Sequence, residues 1–303
     1  MQALYDSKFP ILIQGETGTG KTSLAKKIHK NSIYRERPFV HCNLAGLSDS
    51  LFDSELFGHV KGAFTGAIEN RVGFCDRVGE GTLFFDEIGD ISLIQQKKLL
   101  QILDNGEYYG VGSSNSKIFN GRFIFATHRD LEQLIRQKKF REDLFYRLGG
   151  QAISLRSFSR RSYEEKFKFI EEKFGEIFSK YGIKTIGVSE SCIESMANYG
   201  WPGNYREIDK TIELLVLKNV RRSIELCHLP ERFAGNSLGE GELKRQVSTL
   251  ERKIIINEVV NKGIGINKAS KSLGISKTTL IAKLRKYGIS GHTEKQKIRI
   301  TAA

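Results

Sequence analysis

Through the first half of the chain, short apolar runs alternate with helical periods. "FPILI" (9–13) is continuously apolar, which predicts a strand buried on both faces, as in a parallel sheet covered by helices. After it, Leu24, Ala25 and Ile28 fall on one face of a helix that begins near Lys21. Leu83, Phe84 and Phe85, in "GTLFFDEIGD" (81–90), predict a second buried strand, and "RFIFATHRD" (122–130) a third. Past residue 162 the pattern is helical: "SYEEKFKFIEEKFGEIFSKYG", then "SESCIESMANYG", then "NYREIDKTIELLVLKNV". Residues 234–246, "AGNSLGEGELKRQ", carry three Gly and no apolar period, and read as a linker. In "TLERKIIINEVVNK" the residues Leu250, Ile254, Ile255 and Val259 lie near helical spacing, and Gly263 and Gly265 end the run. "INKASKSLGISKTTLIAKLRKYGI" then has helix-turn-helix form: a short helix, a turn at Gly274, and a second helix capped by Ser276. Ala269, Leu273, Ile275, Leu280 and Leu284 would be its core. The expected architecture is an α/β parallel-sheet core over 1–155, a helical region over 156–233, a linker over 234–247 and a small all-α helix-turn-helix domain over 248–303. No internal repeat is visible.

One stretch breaks the pattern. In "KGAFTGA" (61–67) the Gly density weakens either a helix or a strand, so a loop is expected. A loop tip normally avoids a bare phenyl ring, because an exposed apolar group gains nothing from water. Phe64 either folds back into the core or has a partner.

Charge adds a second clue. The formal net charge of the chain is +13, and from Lys244 onward 14 Lys and Arg face three acids, so +11 of it lies in that tail. A small basic module on a nearly neutral body suggests a polyanion, nucleic acid first. No apolar run approaches the length of a membrane span, and "MQALYDSKFP" lacks the form of a signal peptide. Cys42, Cys75, Cys192 and Cys227 are scattered, with no CxxC, which fits reduced thiols in a cytoplasmic protein.

The densest chemistry lies between the first strand and its helix. Gly15-Glu16-Thr17-Gly18-Thr19-Gly20-Lys21-Thr22 is a complete G-x-x-x-x-G-K-T. Its Gly residues let backbone N–H groups converge on a phosphate, and the helix that follows aims its positive end there. Lys21 would neutralise the β- and γ-phosphates of ATP, and the Thr22 hydroxyl would ligate Mg2+. Asp86 and Glu87 leave the second strand at its C-terminal edge, where open α/β sheets bind ligands. Asp86 would hold the Mg2+ and Glu87 would polarise the attacking water. Thr127 and His128, ending the third strand, are polar groups placed to sense the γ-phosphate.

With these motifs and "GAFTGA", the chain resembles the AAA+ domain of bacterial enhancer-binding proteins, the activators of sigma-54 RNA polymerase. "NLAGLSDSLFDSELFGHVKGAFTGA" (43–67), "FREDLFYRL" (140–148) and "WPGNYREI" (201–208) carry the resemblance onward to a Fis-type helix-turn-helix. It implies a P-loop AAA+ core with a helical lid, working as a homo-oligomeric ring, usually a hexamer, with ATP between neighbours. By the same resemblance Arg141 and Arg147 would be arginine fingers, Arg206 the second sensor of the lid, and Asn43 the residue that holds Glu87 away from water. Gly62, Ala63, Phe64, Thr65, Gly66 and Ala67 would form the loop that grips the sigma factor, with Phe64 its anchor and Gly62 and Gly66 its hinges. A second loop at roughly 108–120 would lie alongside. Ser276, Lys277, Thr278, Thr279, Lys283 and Arg285 would meet double-stranded DNA, the early residues at base edges and the later basic ones at phosphate.

The chain departs from that family in places. Most of the helix and turn usually found before the first strand is missing, His128 stands where Asn is usual, Gly110 where Arg is common, and 155–165 lacks the usual prolines. The expected function is an ATP-hydrolysing activator that remodels the sigma-54 RNA polymerase holoenzyme from an upstream DNA site in the bacterial cytoplasm. The alternative is a DNA-binding regulator that uses ATP mainly to set its oligomeric state, with little turnover, and the short N-terminus favours it. A different AAA+ machine, such as a helicase loader, has no need of "GAFTGA".

Overall fold

The computed structural model describes residues 2–150, 152–183, 187–220, 222–233, 250–287 and 289. It divides into two units, Met1–Ser157 and Phe158–Ala303. In the first unit the strands are β1 (Ile11–Gln14), β2 (Phe39–Asn43), β3 (Thr82–Asp86), β4 (Glu107–Tyr109), β5 (Ser116–Ile118), β6 (Arg122–Thr127) and β7 (Ala152–Ser154). Five of them form one parallel sheet in the order β2-β3-β6-β1-β7. The apolar runs are continuous because both faces are covered. Leu12, Leu83, Phe85, Phe123 and Phe125 point into one core, packed with Phe52, Leu99, Leu131 and Leu144 from helices on that side. Ile11, Ile13, Phe84, Ile124 and Ala126 point the other way, against Ala25 and Ile28 of the Lys21–Lys30 helix. Period-two alternation thus places apolar side chains on both faces.

This arrangement fixes the functional edge. The chain leaves β1 for a helix on one face and leaves β6, its neighbour, for helices on the other. The diverging connections open a crevice at the carboxyl ends of the two strands, the usual ligand site of such sheets.

Two expectations in this unit need correction. Phe9 lies outside the first strand and is 78% exposed. The strand begins only after Pro10, which has no N–H to donate to a ladder. The stretch at 108–120 is also not a plain loop. β4 and β5 pair antiparallel, Tyr109 opposite Ser116, to make a hairpin whose turn uses the Gly and Ser that read as loop.

In the second unit the helices Tyr163–Lys180, Glu190–Asn198 and Asn204–Lys218 share a core with Trp201. The Trp201 indole is buried and donates to the Met196 carbonyl at 2.7 Å, so it packs this region. Ser162 starts the first of these helices with a capping box to Glu165, so a sharp helix start needs no proline there. Further on, Ile266–Ser272 and Lys277–Lys286 form a helix pair around Gly274, whose φ is +64°. Ala269, Leu280 and Leu284 are buried there with Ile255, Val259, Tyr287 and Ile289, while Leu273 and Ile275 are half-buried. Leu250 and Ile254, expected on the same face, are 60% and 47% exposed. They are offset by about 140° from Ile255 and Val259, and so small a core covers only one stripe of a helix. The expected linker, 234–247, and the tail beyond 290 lie outside the described residues. No helix among the described residues is long and apolar enough to cross a membrane.

Candidate functional site

The turn from β1 to the Lys21–Lys30 helix is built by its glycines. Gly18 and Gly20 have φ of +81° and +93°, a region that L side chains avoid. Gly15 has no room for a Cβ, which would lie 2.9 Å from both Leu155 Cβ and Thr19 Oγ1. Its N–H donates to the Thr127 carbonyl at 3.1 Å, tying the turn to the end of β6. Thr19 closes the turn on itself, its hydroxyl donating to the Glu16 carbonyl at 2.7 Å. Lys21 points back beneath the turn: its ammonium donates to the Gly15 carbonyl at 3.0 Å and the residue is only 6% exposed. Among the described residues no side chain caps this helix N-terminus, so its first N–H groups face the turn. A buried cation and free amide dipoles converge here. Thr22, half-buried, is the next residue along.

Asp86 and Glu87 emerge beside this cradle. Asp86 Oδ1 accepts from the Glu87 N–H at 3.1 Å. Burial alone would raise the Asp86 carboxyl, but the nearby His41 imidazole and the Lys21 ammonium outweigh it and hold the group below its ordinary range. Glu87 has a left-handed backbone, φ 60° and ψ 48°, which costs a non-glycine residue about 1–3 kcal/mol. Its Oε1 lies 3.7 Å from the Lys21 ammonium, and its Oε2 lies 2.7 Å from His128 Nδ1 and 3.2 Å from the His128 N–H. Two residues that sequence reasoning missed brace this contact: Asp90 pairs with Arg129, bonding the same two turns a second time. Gly89 permits the approach, since a Cβ there would lie 2.7 Å from Thr127 Oγ1. Ligand atoms of Glu87, Asp90 and His128 come within 4.8 Å of one another, but those of Glu87 and Asp90 already accept from His128 and Arg129. The signal missed in the sequence was the Asp90 and Arg129 pair flanking two known strand ends.

Asn43 does not hold Glu87 in this structure. It lies opposite Asp86 in the β2–β3 register, and its side-chain oxygen accepts from the Ala45 N–H at 3.1 Å. Arg141 is forked onto Asp143 at 2.9 and 2.6 Å, and Arg147 pairs with Asp104 at 2.6 Å. Both guanidinium groups lie on the surface, at the start and end of the Glu142–Arg147 helix. Arg206 is exposed in the first turn of the Asn204–Lys218 helix of the second unit.

The "GAFTGA" segment is a pair of turns. Gly62 and Gly66 have φ of +83° and +101°. The Gly62 N–H donates to the Ala67 carbonyl at 2.9 Å, closing the loop, and Ala67 is buried at its base. Phe64 is 42% exposed, with its ring edge-on to His59 at 5.0 Å. It neither enters the core nor stands bare. The β4–β5 hairpin runs alongside: the Val60 N–H donates to the Val111 carbonyl at 3.1 Å and the Val111 N–H to the Gly58 carbonyl at 2.8 Å.

In the basic module, Lys277, Thr278, Thr279 and Arg285 are exposed. Ser276 acts as the cap, accepting from the Thr279 N–H at 3.0 Å. Lys283 is less available than expected: its ammonium pairs with Glu251 at 2.5 Å.

A five-stranded parallel sheet with a glycine cradle at β1, carboxylates at β3, a helical unit and a helix-turn-helix defines an AAA+ regulator architecture. Family models match along the chain: the Sigma-54 interaction domain over residues 1–154, an AAA+ ATPase lid domain over 167–246 and a helix-turn-helix domain over 240–290. The chain is 37% identical over 294 residues to the regulatory protein AtoC of Escherichia coli K12, covering 93% of this chain and 63% of that one. It is 37% identical over 281 residues to the transcriptional regulatory protein ZraR of the same organism, covering 92% and 63%. NtrX from Brucella abortus, solved in complex with ATP, superposes with a TM-score of 0.67 at 26% identity over 95% of this chain and 65% of NtrX. The chain therefore belongs to the sigma-54 interaction domain family, the sigma-54-dependent transcriptional regulators. It spans about 63% of the length of these curated relatives.

Proposed function

We propose that the chain is an ATP-hydrolysing transcription activator that works as a ring of identical copies, binds upstream double-stranded DNA and remodels the sigma-54 RNA polymerase holoenzyme through its "GAFTGA" loop. The observation that carries this reading is the Lys21 ammonium, buried beneath a glycine turn and paired only loosely, at 3.7 Å, with Glu87. A desolvated cation in such a place is stabilised by an anion of phosphate chemistry. The cradle fits the group: Gly15 packs closely under Leu155 and Thr19, Gly18 and Gly20 hold the turn, and the helix N-terminus faces it. The likeness to the ATP complex of NtrX supports the same ligand.

Bound MgATP would supply the phosphoryl group and the divalent charge. In this reading Gly15 to Gly20 cradle the phosphates, Lys21 neutralises them, and Thr22 and Asp86 hold Mg2+. Glu87 takes the proton of the attacking water, while Thr127 and His128 close the site from β6. Arg141 and Arg147 leave Asp143 and Asp104 to stabilise charge in an adjoining copy's site, and Arg206 acts as the second nucleotide sensor from the lid. Gly62 and Gly66 let the loop move, so that Phe64 leaves His59 for the sigma factor, with Thr65 a polar contact beside it, and the aromatic ring is buried on contact. Ser276 fixes the recognition helix, and Lys277, Thr278, Thr279, Arg285 and, once freed from Glu251, Lys283 meet DNA.

Steady-state ATP hydrolysis measured against protein concentration tests the reading. Turnover per chain should rise steeply, because each site needs a neighbour's arginine. ATP binding without turnover would instead establish the regulator that uses nucleotide only to set its assembly. Phe64→Ala should hydrolyse ATP and fail to activate transcription, and normal activation by it would remove the loop from the mechanism.

A further inference from the structure

We propose that His128 is the positioning residue for Glu87, through its Nδ1 and not through contact with phosphate; this rests on the ATPase reading. Two donors of one residue meet one oxygen. His128 Nδ1 lies 2.7 Å and its N–H 3.2 Å from Glu87 Oε2. With Oε2 fixed, the other oxygen, Oε1, is left toward the cradle, 3.7 Å from the Lys21 ammonium. Lys21 already has a firm hydrogen bond to the Gly15 carbonyl at 3.0 Å, so its hold on Oε1 is the weaker of the two. The geometry therefore gives Glu87 one anchored oxygen and one working oxygen.

Three further features make this a built contact. The Glu87 backbone is held left-handed, φ 60°, against its own preference, which aims the side chain across at the end of β6. The Asp90–Arg129 pair locks the two turns together one step further out. Gly89 lets them touch, with no space for a Cβ beside Thr127. Asn43, the residue the family resemblance offers for holding Glu87, makes its hydrogen bond to the Ala45 N–H and none to Glu87 in this structure. Because ring Nδ1 must donate to a carboxylate, a neutral His128 carries its proton on Nδ1 and leaves Nε2 without one.

The tautomer gives a test that needs no turnover. Histidine-labelled, nucleotide-free chain is examined by nitrogen NMR at about pH 8, above the ordinary histidine range. His128 should show a protonated Nδ1, and Glu87→Ala should move the proton to Nε2. A proton on Nε2 in the parent overturns the proposal and leaves the ATPase reading standing. A kinetic arm separates positioning from phosphate sensing. His128→Ala should lower kcat by about 10²-fold with KM for ATP changed by no more than about 2-fold, as expected when a reacting group is misplaced by an ångström. His128→Asn puts an amide donor near the place of Nδ1 and should recover most of the loss. His128→Gln puts it near Nε2 and should not. Recovery by Gln and not by Asn would make His128 a phosphate sensor and sink the proposal. If the parent itself does not turn over, the ATPase reading fails, and the NMR result still decides whether His128 holds Glu87.

Discussion

The two ends of β3 and β6 use polar side chains in opposite ways. At their first residues, Thr82 and Arg122 are both fully buried. Arg122 donates to Thr82 Oγ1 at 3.0 Å, to Ser32 Oγ at 2.9 Å and to the Tyr5 carbonyl, and lies 4.4 Å over the Tyr34 ring. Thr82 Oγ1 is also 2.9 Å from His29 Nδ1. At the far ends of the same strands stand Asp86 and Glu87, half-buried, a buried Thr127 and an exposed His128, with the Glu87 backbone strained and a buried Lys21 paired loosely. One edge satisfies its polar groups and contributes stability. The other leaves charges incompletely met and a backbone out of its preferred region, which is how a sheet edge is kept ready for a ligand. Length along a strand, about five residues, separates a structural network from a chemical one.

Breaking each edge should give different phenotypes. The largest effect is expected from Lys21→Ala, which removes the buried cation of the open edge. Turnover should fall roughly 10³-fold, equivalent to about 4 kcal/mol, with thermal stability nearly unchanged; hydrolysis and calorimetry measured together check both halves. A lowered melting temperature with retained hydrolysis would put Lys21 in the structural class. Next comes Arg122→Ala at the closed edge. It leaves a cavity over Tyr34 and orphans the Tyr5 carbonyl, so a loss of about 3 kcal/mol is expected. That corresponds to a fall in Tm of roughly 6–12 °C, while hydrolysis per folded chain stays within about 2-fold. Equal damage to hydrolysis would show that the two edges are coupled.

Gly89→Ala falls between the two classes and sharpens the contrast. Its Cβ would sit 2.7 Å from Thr127 Oγ1 and 3.1 Å from Arg129 Cβ, so the turns must part. Overpacking of this kind costs about 1–3 kcal/mol. Because the strain falls between Glu87 and His128, a loss of turnover should accompany a modest fall in Tm. Loss of stability alone would mean that the spacing of these turns does not matter to the chemistry.

The open edge was largely legible in the sequence because its parts are contiguous. Gly15 to Thr22 and the Asp86–Glu87 strand end announce themselves by spacing, as does the helix pair around Gly274. What was not legible needs distance. Glu87 and His128 are 41 positions apart, and the family resemblance pointed to Asn43 as the residue acting on Glu87 instead. Arg122 reads as the polar start of an apolar run, and its partners come from Tyr5, Ser32 and Thr82, which only the fold assembles. The face of the helix at 250–259 was misread for a different reason. Apolar spacing alone cannot say how wide a stripe a core will cover, and Leu250 and Ile254, which share the helical spacing of Ile255 and Val259, stay outside it.

The smallest expected effect concerns protons at the closed edge. Burial, and after it the charge of Arg122, hold His29 below its ordinary value of 6.5, opposed by a hydrogen bond with the Arg37 backbone. The geometry fits: Thr82 Oγ1 accepts from Arg122 Nε and has a hydroxyl proton to donate to a neutral His29 Nδ1, while charging the ring would set it against the nearby Arg122 guanidinium. In the folded chain the ring therefore stays neutral where the unfolded chain has already bound a proton. The unfolded state binds more protons in that window, so the contribution to stability is full above about pH 6.5 and is lost as the pH falls towards and through the lowered folded value. His228, in the second unit, shifts the same way, so the test must be a difference. Tm measured from about pH 7.5 to pH 5 should fall less steeply for His29→Gln than for the parent, while Lys21→Ala follows the parent's slope. Identical slopes for His29→Gln and parent would show that the closed edge does not respond to protons and that the contrast between the edges is one of packing alone.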